Sequence, residues 1–283
     1  MSMSNIDKTK VVLLGTGTPI PDPLRSGPSV AIIVKKKAYL VDCGVGVVRR
    51  AAEAVTLLGI KPLQPPFLNK VLLTHLHSDH TLGLPDLIFT PWVAGRKKPL
   101  EIFGPKGTQA MADHIISAYK IDIDERINGL EPANDKGHQI IIHEISPGII
   151  YEDSNVKIEA LPVKHGNLTS FAYKFITKDR IIVISGDTTV IDELADFYEG
   201  CDILIHEVYS QTALERLPPN WQNYHSSVHT SSLELANLAT ITKPGLLILY
   251  HQLFWHLNDN ICVEEIKKLY KGKVISGKDL EVY

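Results

Sequence analysis

The chain has 283 residues, 44% of them hydrophobic and 22% charged, with a net charge of −3 and a pI near 6.5. Such a composition suits a globular chain with a sizeable core; it supplies no global positive field for nucleic acid and no acidic, disordered tail. Three widely separated cysteines, Cys43, Cys201 and Cys262, make no disulfide framework and no metal-binding pair, and they read as small buried apolar groups in a reducing compartment. The opening MSMSNIDKTK lacks the apolar stretch of a signal peptide, and no apolar run approaches the length of a membrane span. A cytoplasmic protein with no membrane partner is expected.

In chain order, VVLLG (11–15), SVAIIV (29–34) and AYLVD (38–42) read as strands, with the lysines at 35–37 as a hairpin tip. VVRRAAEAVTLLG (47–59) reads as a helix burying Val48, Ala51, Ala52, Val55 and Leu58 and stopped by Gly59. KVLLT (70–74) is a buried strand, LPDLIFTPW (84–92) a helix opening on a proline, LEIFG (100–104) a strand, and 106–120 a helix. IDIDERINGLEPANDKG (121–137) reads as an acidic, turn-rich surface segment. Strands follow at QIIIHEI (139–145), VKIEALPV (156–163), FAYKFIT (171–177), RIIVIS (180–185), DILIHE (202–207) and LLILY (246–250), with helices near 190–199, 231–240 and 261–270. LPPNWQNYHSSVH (217–229) reads as a polar, aromatic loop whose Trp221, Tyr224 and His225 are candidates for a pocket wall. The alternation predicts an α/β architecture with helices covering sheet faces, and no linker or low-complexity tract divides it.

The chemistry gathers where strands end. VLLT runs into His75, LPVK into His165, VISG into Asp187, DILI into His206 and Glu207, and LLILY into His251. In α/β folds such strand ends share a crevice. The loop after the fourth strand is the densest: HLHSDH holds His75, His77, Asp79 and His80 in six positions. His75 and His77, two apart, can face one ion, while Asp79 and His80 diverge towards a second. This nitrogen and oxygen donor set suits zinc, with manganese or iron as alternatives. A bridging carboxylate such as Asp187 would hold two cations about 3.5–4 Å apart, where they activate a water. Asp42, in DCGVG, is a candidate to buttress a ligand histidine.

HLHSDH (75–80) resembles the HxHxDH signature of the metallo-β-lactamase superfamily, and the resemblance continues through His165, Asp187 in SGDT and His251, starting from LGTGTP (14–19) and VDCG (41–44). It implies an α/β fold of αββα type, a four-layer sandwich of two mixed β-sheets flanked by helices, with residues 1–283 as one domain. It further implies two Zn2+ per chain (Mn2+ or Fe2+ as alternatives). His75, His77 and His165 would hold the first, Asp79, His80 and His251 the second, and Asp187 with a water or hydroxide would bridge them. LIHEVYS (204–210) and HTSSLELANLA (229–239) resemble the HEAT and HST motifs of the ribonuclease Z and arylsulfatase-like branch. That implies a Glu207–His229 pair in which the carboxylate orients an imidazole that protonates a leaving oxygen. Asp79, Glu207 and His229 are thus the catalytic candidates.

The expected activity is dinuclear zinc hydrolysis of a phosphodiester or sulfate ester by a metal-bridging hydroxide, in a homodimer acting on a small ester. The alternative is a ribonuclease Z that processes tRNA 3′ ends. A lactonase, or an iron-dependent sulfur or oxygen redox enzyme of the same fold, stands behind both. The resemblance implies, for ribonuclease Z of the usual bacterial type, a long tRNA-gripping arm between the positions of His165 and Asp187. Residues 166–186 leave no room for one, and the short basic clusters at 35–37, 49–50 and 95–98 do not replace it. A small ester is therefore favoured over tRNA.

Overall fold

The structure, a computed structural model, describes residues 8–255 and 257–283; most of the opening segment weighed above as a signal peptide, and His256, lie outside these. The described residues form two compact units, one from 8–15, Asp22–Ile145 and Asp279–Tyr283, the other from Thr16–Pro21, 146–255 and 257–278.

The first unit contains β1 (Lys10–Gly15), β2 (Ser29–Val34), β3 (Lys37–Val41), α1 (Val47–Leu58), β4 (Lys70–Leu72), α2 (Ser78–Thr81), α3 (Leu84–Val93), β5 (Leu100–Gly104), α4 (Thr108–Ala118), α5 (Lys120–Asn128) and β6 (Ile140–Glu144). Its six strands lie in sequence order, β1 to β3 as an antiparallel meander and β3 to β6 parallel. Side chains alternate across a strand, so Val12, Leu14, Ala31, Ile33, Leu40, Val71 and Ile102 share one face and pack against α1 and α3.

Helix α1 buries Val47, Val48, Ala51 and Ala54, whereas Leu58 is 44% exposed. The expected face is therefore rotated. Small side chains let the helix sit close on the sheet, and its bulky end turns to solvent. Residues 121–137 are also not all turn, because α5 covers the first eight of them. The cluster at 95–98 is not simply a basic surface either. Arg96 is buried and donates to the carbonyls of Leu68, Leu87, Ile88 and Gly137, which satisfies its guanidinium inside the unit.

The second unit contains β7 (Gly148–Glu152), β8 (Val156–His165), β9 (Leu168–Thr177), β10 (Ile181–Ile184), α6 (Glu193–Tyr198), β11 (Ile203–Tyr209), α7 (Gln211–Leu214), α8 (Pro219–Val228), α9 (Ser232–Thr242), β12 (Leu246–Leu253), α10 (Ile261–Leu269) and β13 (Val274–Ser276). Strands β7 to β10 are antiparallel and β10 to β13 parallel, which repeats the pattern of the first sheet. Helices α6, α9 and α10 cover it through Leu194, Tyr198, Leu235, Ala239, Cys262 and Ile266. The three cysteines are buried thiols.

Two expectations change here. The segment 217–229 is mostly helix α8, opened by Pro218 and Pro219, rather than loop. Strand β7 was invisible in the pattern because GIIYE is exposed or half-buried at every position. Both sheets are mixed and flanked by helices, which is the α/β class expected. No helix among the described residues is long and apolar enough to cross a membrane.

Candidate active site

In the first unit the site grows from the end of β3. Asp42 has left-handed backbone geometry, φ 59°, which aspartate tolerates better than most residues. Gly44 follows because a Cβ there would lie 2.3 Å from the carbonyl carbon of Gly27 and 2.6 Å from the Asp79 carbonyl oxygen. The VDCG turn is thereby pressed against the histidine loop, and Cys43 N–H donates to the His80 carbonyl at 2.9 Å.

Asp42 accepts from Thr74 N–H (2.8 Å), from Thr74 Oγ1 (2.9 Å) and from His80 Nδ1 (2.8 Å). With its proton given to Asp42, Thr74 Oγ1 accepts from His75 Nδ1 at 3.0 Å. Both imidazoles thus have Nδ1 occupied as donor, which leaves Nε2 as the nitrogen able to ligate. His75 Nε2 lies 3.0 Å from His77 Nδ1, close to the roughly 3.3 Å that separates two nitrogens on one tetrahedral zinc. His80 Nε2 lies 3.4 Å from Asp79 Oδ2. Helix α2 begins right after His77 and carries Asp79 and His80, and the His80 ring still lies against that of His75, with centroids 4.2 Å apart. We expect Asp42→Asn to keep the fold and weaken metal binding about 10- to 100-fold in a chelator titration. Unchanged affinity would remove Asp42 from the support of His80.

The second unit supplies the other candidates. The β8–β9 hairpin turns on Gly166 and Asn167, pairing His165 with Leu168, so residues 166–186 form no arm. His165 Nδ1 donates to the Val228 carbonyl at 2.7 Å, and its Nε2 lies 3.9 Å from Asp187 Oδ2. Burial pushes the His165 imidazole below its usual range, which favours the neutral, ligating form. His251 Nε2 is 3.6 Å from the same carboxylate oxygen. Asp187, His229 and His251 form a buried group that could hold a metal ion.

His251 does not follow its strand, as expected, but sits inside β12 on a bulge. His206 pairs with Leu249 and Val208 with Gln252, so Tyr250 and His251 together oppose Glu207, and His251 takes φ 44°. His206 points to the other side of β11, edge-on to Tyr198, and joins no metal-type group among the described residues.

Glu207 is fully buried. Its Oε1 accepts from Thr188 N–H (3.1 Å), Thr230 N–H (3.1 Å) and His229 Nδ1 (3.2 Å). The expected carboxylate–imidazole pair is formed. His229 just precedes the helix cap: Ser231 caps α9 in a capping box with Glu234.

Sequence reasoning missed Glu265. In VEEIKKL it looks like part of a solvated charged face, yet it is 2% exposed. It accepts from Ser210 Oγ (3.0 Å), Thr212 N–H (2.9 Å), Gln211 N–H (3.0 Å) and Ser232 Oγ (2.5 Å). Burial would raise its pKa, but hydrogen bonds from Ser232, Thr212 and Ser210 outweigh it and hold the carboxyl below its usual range. Ser210 is three residues past Glu207 and Ser232 three past His229, so this one carboxylate ties together the segments that carry the pair. Glu265→Gln would set an amide NH2 against those donors. A loss of about 1–3 kcal/mol is expected, read as a lower urea midpoint; an unmoved midpoint would show the network to be dispensable.

The sequence profile of the beta-lactamase superfamily domain matches residues 37–252. The chain belongs to the beta-lactamase superfamily. This superfamily chain is 34% identical over 246 residues to ribonuclease Z of Mycobacterium bovis, across 86% of this chain and 85% of that protein. In structure it is similar to the metallo-β-lactamase-fold protein YhfI of Bacillus subtilis (TM-score 0.73, 22% identity, 98% and 100% of the two chains). It is also similar to the short form of human tRNase Z (TM-score 0.70, 22% identity, 97% and 98%). The chain is a hydrolase of the metallo-β-lactamase fold, and its histidine and aspartate groups are of the kind that hold divalent metal.

Proposed function

We propose that this chain is a two-metal phosphodiesterase. His75, His77 and His165 would hold one cation, Asp79, His80 and His251 the other, with Asp187 shared; zinc fits the nitrogen-rich donor set. Two such ions lower the pKa of a water and polarise the ester. The remaining work falls to the chain's own side chains. Asp42 and Thr74 hold the His80 and His75 rings with Nε2 outward. Glu207 holds His229 through Nδ1, so the proton handed to the leaving oxygen is the one on Nε2. The proton then returns to His229 from solvent.

The Glu207–His229 contact carries the proposal, because it supplies the proton donor that an alkoxide leaving group needs. Resemblance to ribonuclease Z favours a phosphodiester over a sulfate ester. It also favours a second reading, cleavage of tRNA 3′ extensions. The M. bovis relative matches over 86% of this chain and 85% of its own length, so the two chains are of nearly equal length. The metal-loaded protein should hydrolyse bis-p-nitrophenyl phosphate and leave p-nitrophenyl sulfate and lactones intact. Turnover of the sulfate alone would overturn the proposal. Cleavage of a 3′-extended precursor tRNA that weakens steeply with salt would establish the second reading.

A further inference from the structure

Helix α8 places Trp221, Tyr224, His225 and Val228 at i, i+3, i+4 and i+7, a spacing that ordinarily faces a core. Here only Val228 is buried; Trp221 is 51% exposed and Tyr224 44%. The rings nonetheless order one another. Trp221 stacks on His225 with centroids 5.7 Å apart at 24°, and His225 stacks on His229 at 5.8 Å and 27°. Tyr224 and Trp255 close on His225 from other directions, at 5.0 Å and 4.7 Å. An aromatic ladder therefore runs from an open tryptophan face to the histidine paired with Glu207, each step under 6 Å.

The chemistry of the ladder narrows what it can take. Residues 217–229 contain no lysine or arginine. The stripe is thus unsuited to a phosphate and suited to a flat, uncharged ring. Base–aromatic stacking also tolerates any base, since every base has a π-face. A chain with net charge −3 has little general attraction for a nucleic-acid backbone, and stacking is a source of affinity that does not need one.

We propose that Trp221 and Tyr224 form a stacking subsite for the base of a nucleotide adjoining the scissile phosphodiester. The proposal rests on the phosphodiesterase reading for its orientation, but it can be tested by binding alone. Tryptophan fluorescence of the full chain would be titrated with uridine 5′-monophosphate, with ribose 5-phosphate as the base-free probe. The nucleotide should quench the emission, and the sugar phosphate should bind roughly tenfold or more weakly without quenching. Trp221→Ala should reduce nucleotide affinity to that of the sugar phosphate, and Trp221→Phe should restore most of it.

Equal affinity of the wild type for both probes would overturn the subsite, as would unchanged nucleotide affinity in Trp221→Ala. If that variant instead sediments as a smaller species with nucleotide affinity intact, the face belongs to a second copy of the chain and the subsite is overturned. A wild type that discriminates between the probes yet hydrolyses no phosphodiester would defeat the hydrolytic reading and leave the subsite standing.

Discussion

Replacing His229 by alanine is expected to leave bound metal unchanged and to slow hydrolysis of phosphodiesters with poor leaving groups by about 10²- to 10⁴-fold, the range for a positioned general acid. Substrates whose leaving group departs as a stable anion should be affected far less, because they need no proton. His229 points Nδ1 at Glu207, 3.2 Å away, and that carboxylate is anchored independently by the amides of Thr188 and Thr230. The cavity left by the ring therefore does not release Glu207, and the variant should fold. The decisive measurement is the dependence of rate on leaving-group pKa. It should steepen in the variant; an unchanged slope would exclude His229 as the proton donor.

Replacing His77 by alanine is expected to act one step earlier. Its Nδ1 lies beside His75 Nε2, so removing it takes away half of the imidazole pair at the start of the loop. Metal content should fall by about one equivalent, and activity on every ester should drop together, good and poor leaving groups alike. The fall in affinity should exceed the 10- to 100-fold typical of an outer partner such as Asp42. His77 is only half-buried and just precedes a four-residue helix, so the fold should survive, as circular dichroism would show. Full metal occupancy in this variant would mean that the loop does not bind as a paired site.

Much of this was legible in the chain. SVAIIV and LEIFG are strands over the residues read from their apolar runs, since burial on both faces leaves a signal that needs no partner to interpret. The HLHSDH loop was legible for a related reason: its histidines and aspartate are crowded within six positions of the chain, a signal that needs no distant segment to interpret. The Glu207–His229 pair was reachable only through resemblance to known motifs. Nothing in a 22-residue separation predicts a 3.2 Å contact.

Other features depended on long-range packing. Residues 217–229 read as loop because polar residues and prolines crowd the segment, yet two prolines start a helix there and its aromatic residues stand at helical spacing. Glu265 looked like solvent-facing charge, because whether a glutamate on a helix meets water or four donors depends on what lies across from it. His251 shows the division most clearly. By itself the chain placed a histidine after an apolar strand. Only pairing of β12 with β11 decided that an extra residue is accommodated there, that His251 takes left-handed geometry, and that its Nε2 comes within 3.6 Å of Asp187. Which residues can carry the chemistry is a property of the chain's own composition and spacing. Where their nitrogens and oxygens point is set by strand register and buried hydrogen bonds, which exist only once distant segments have met.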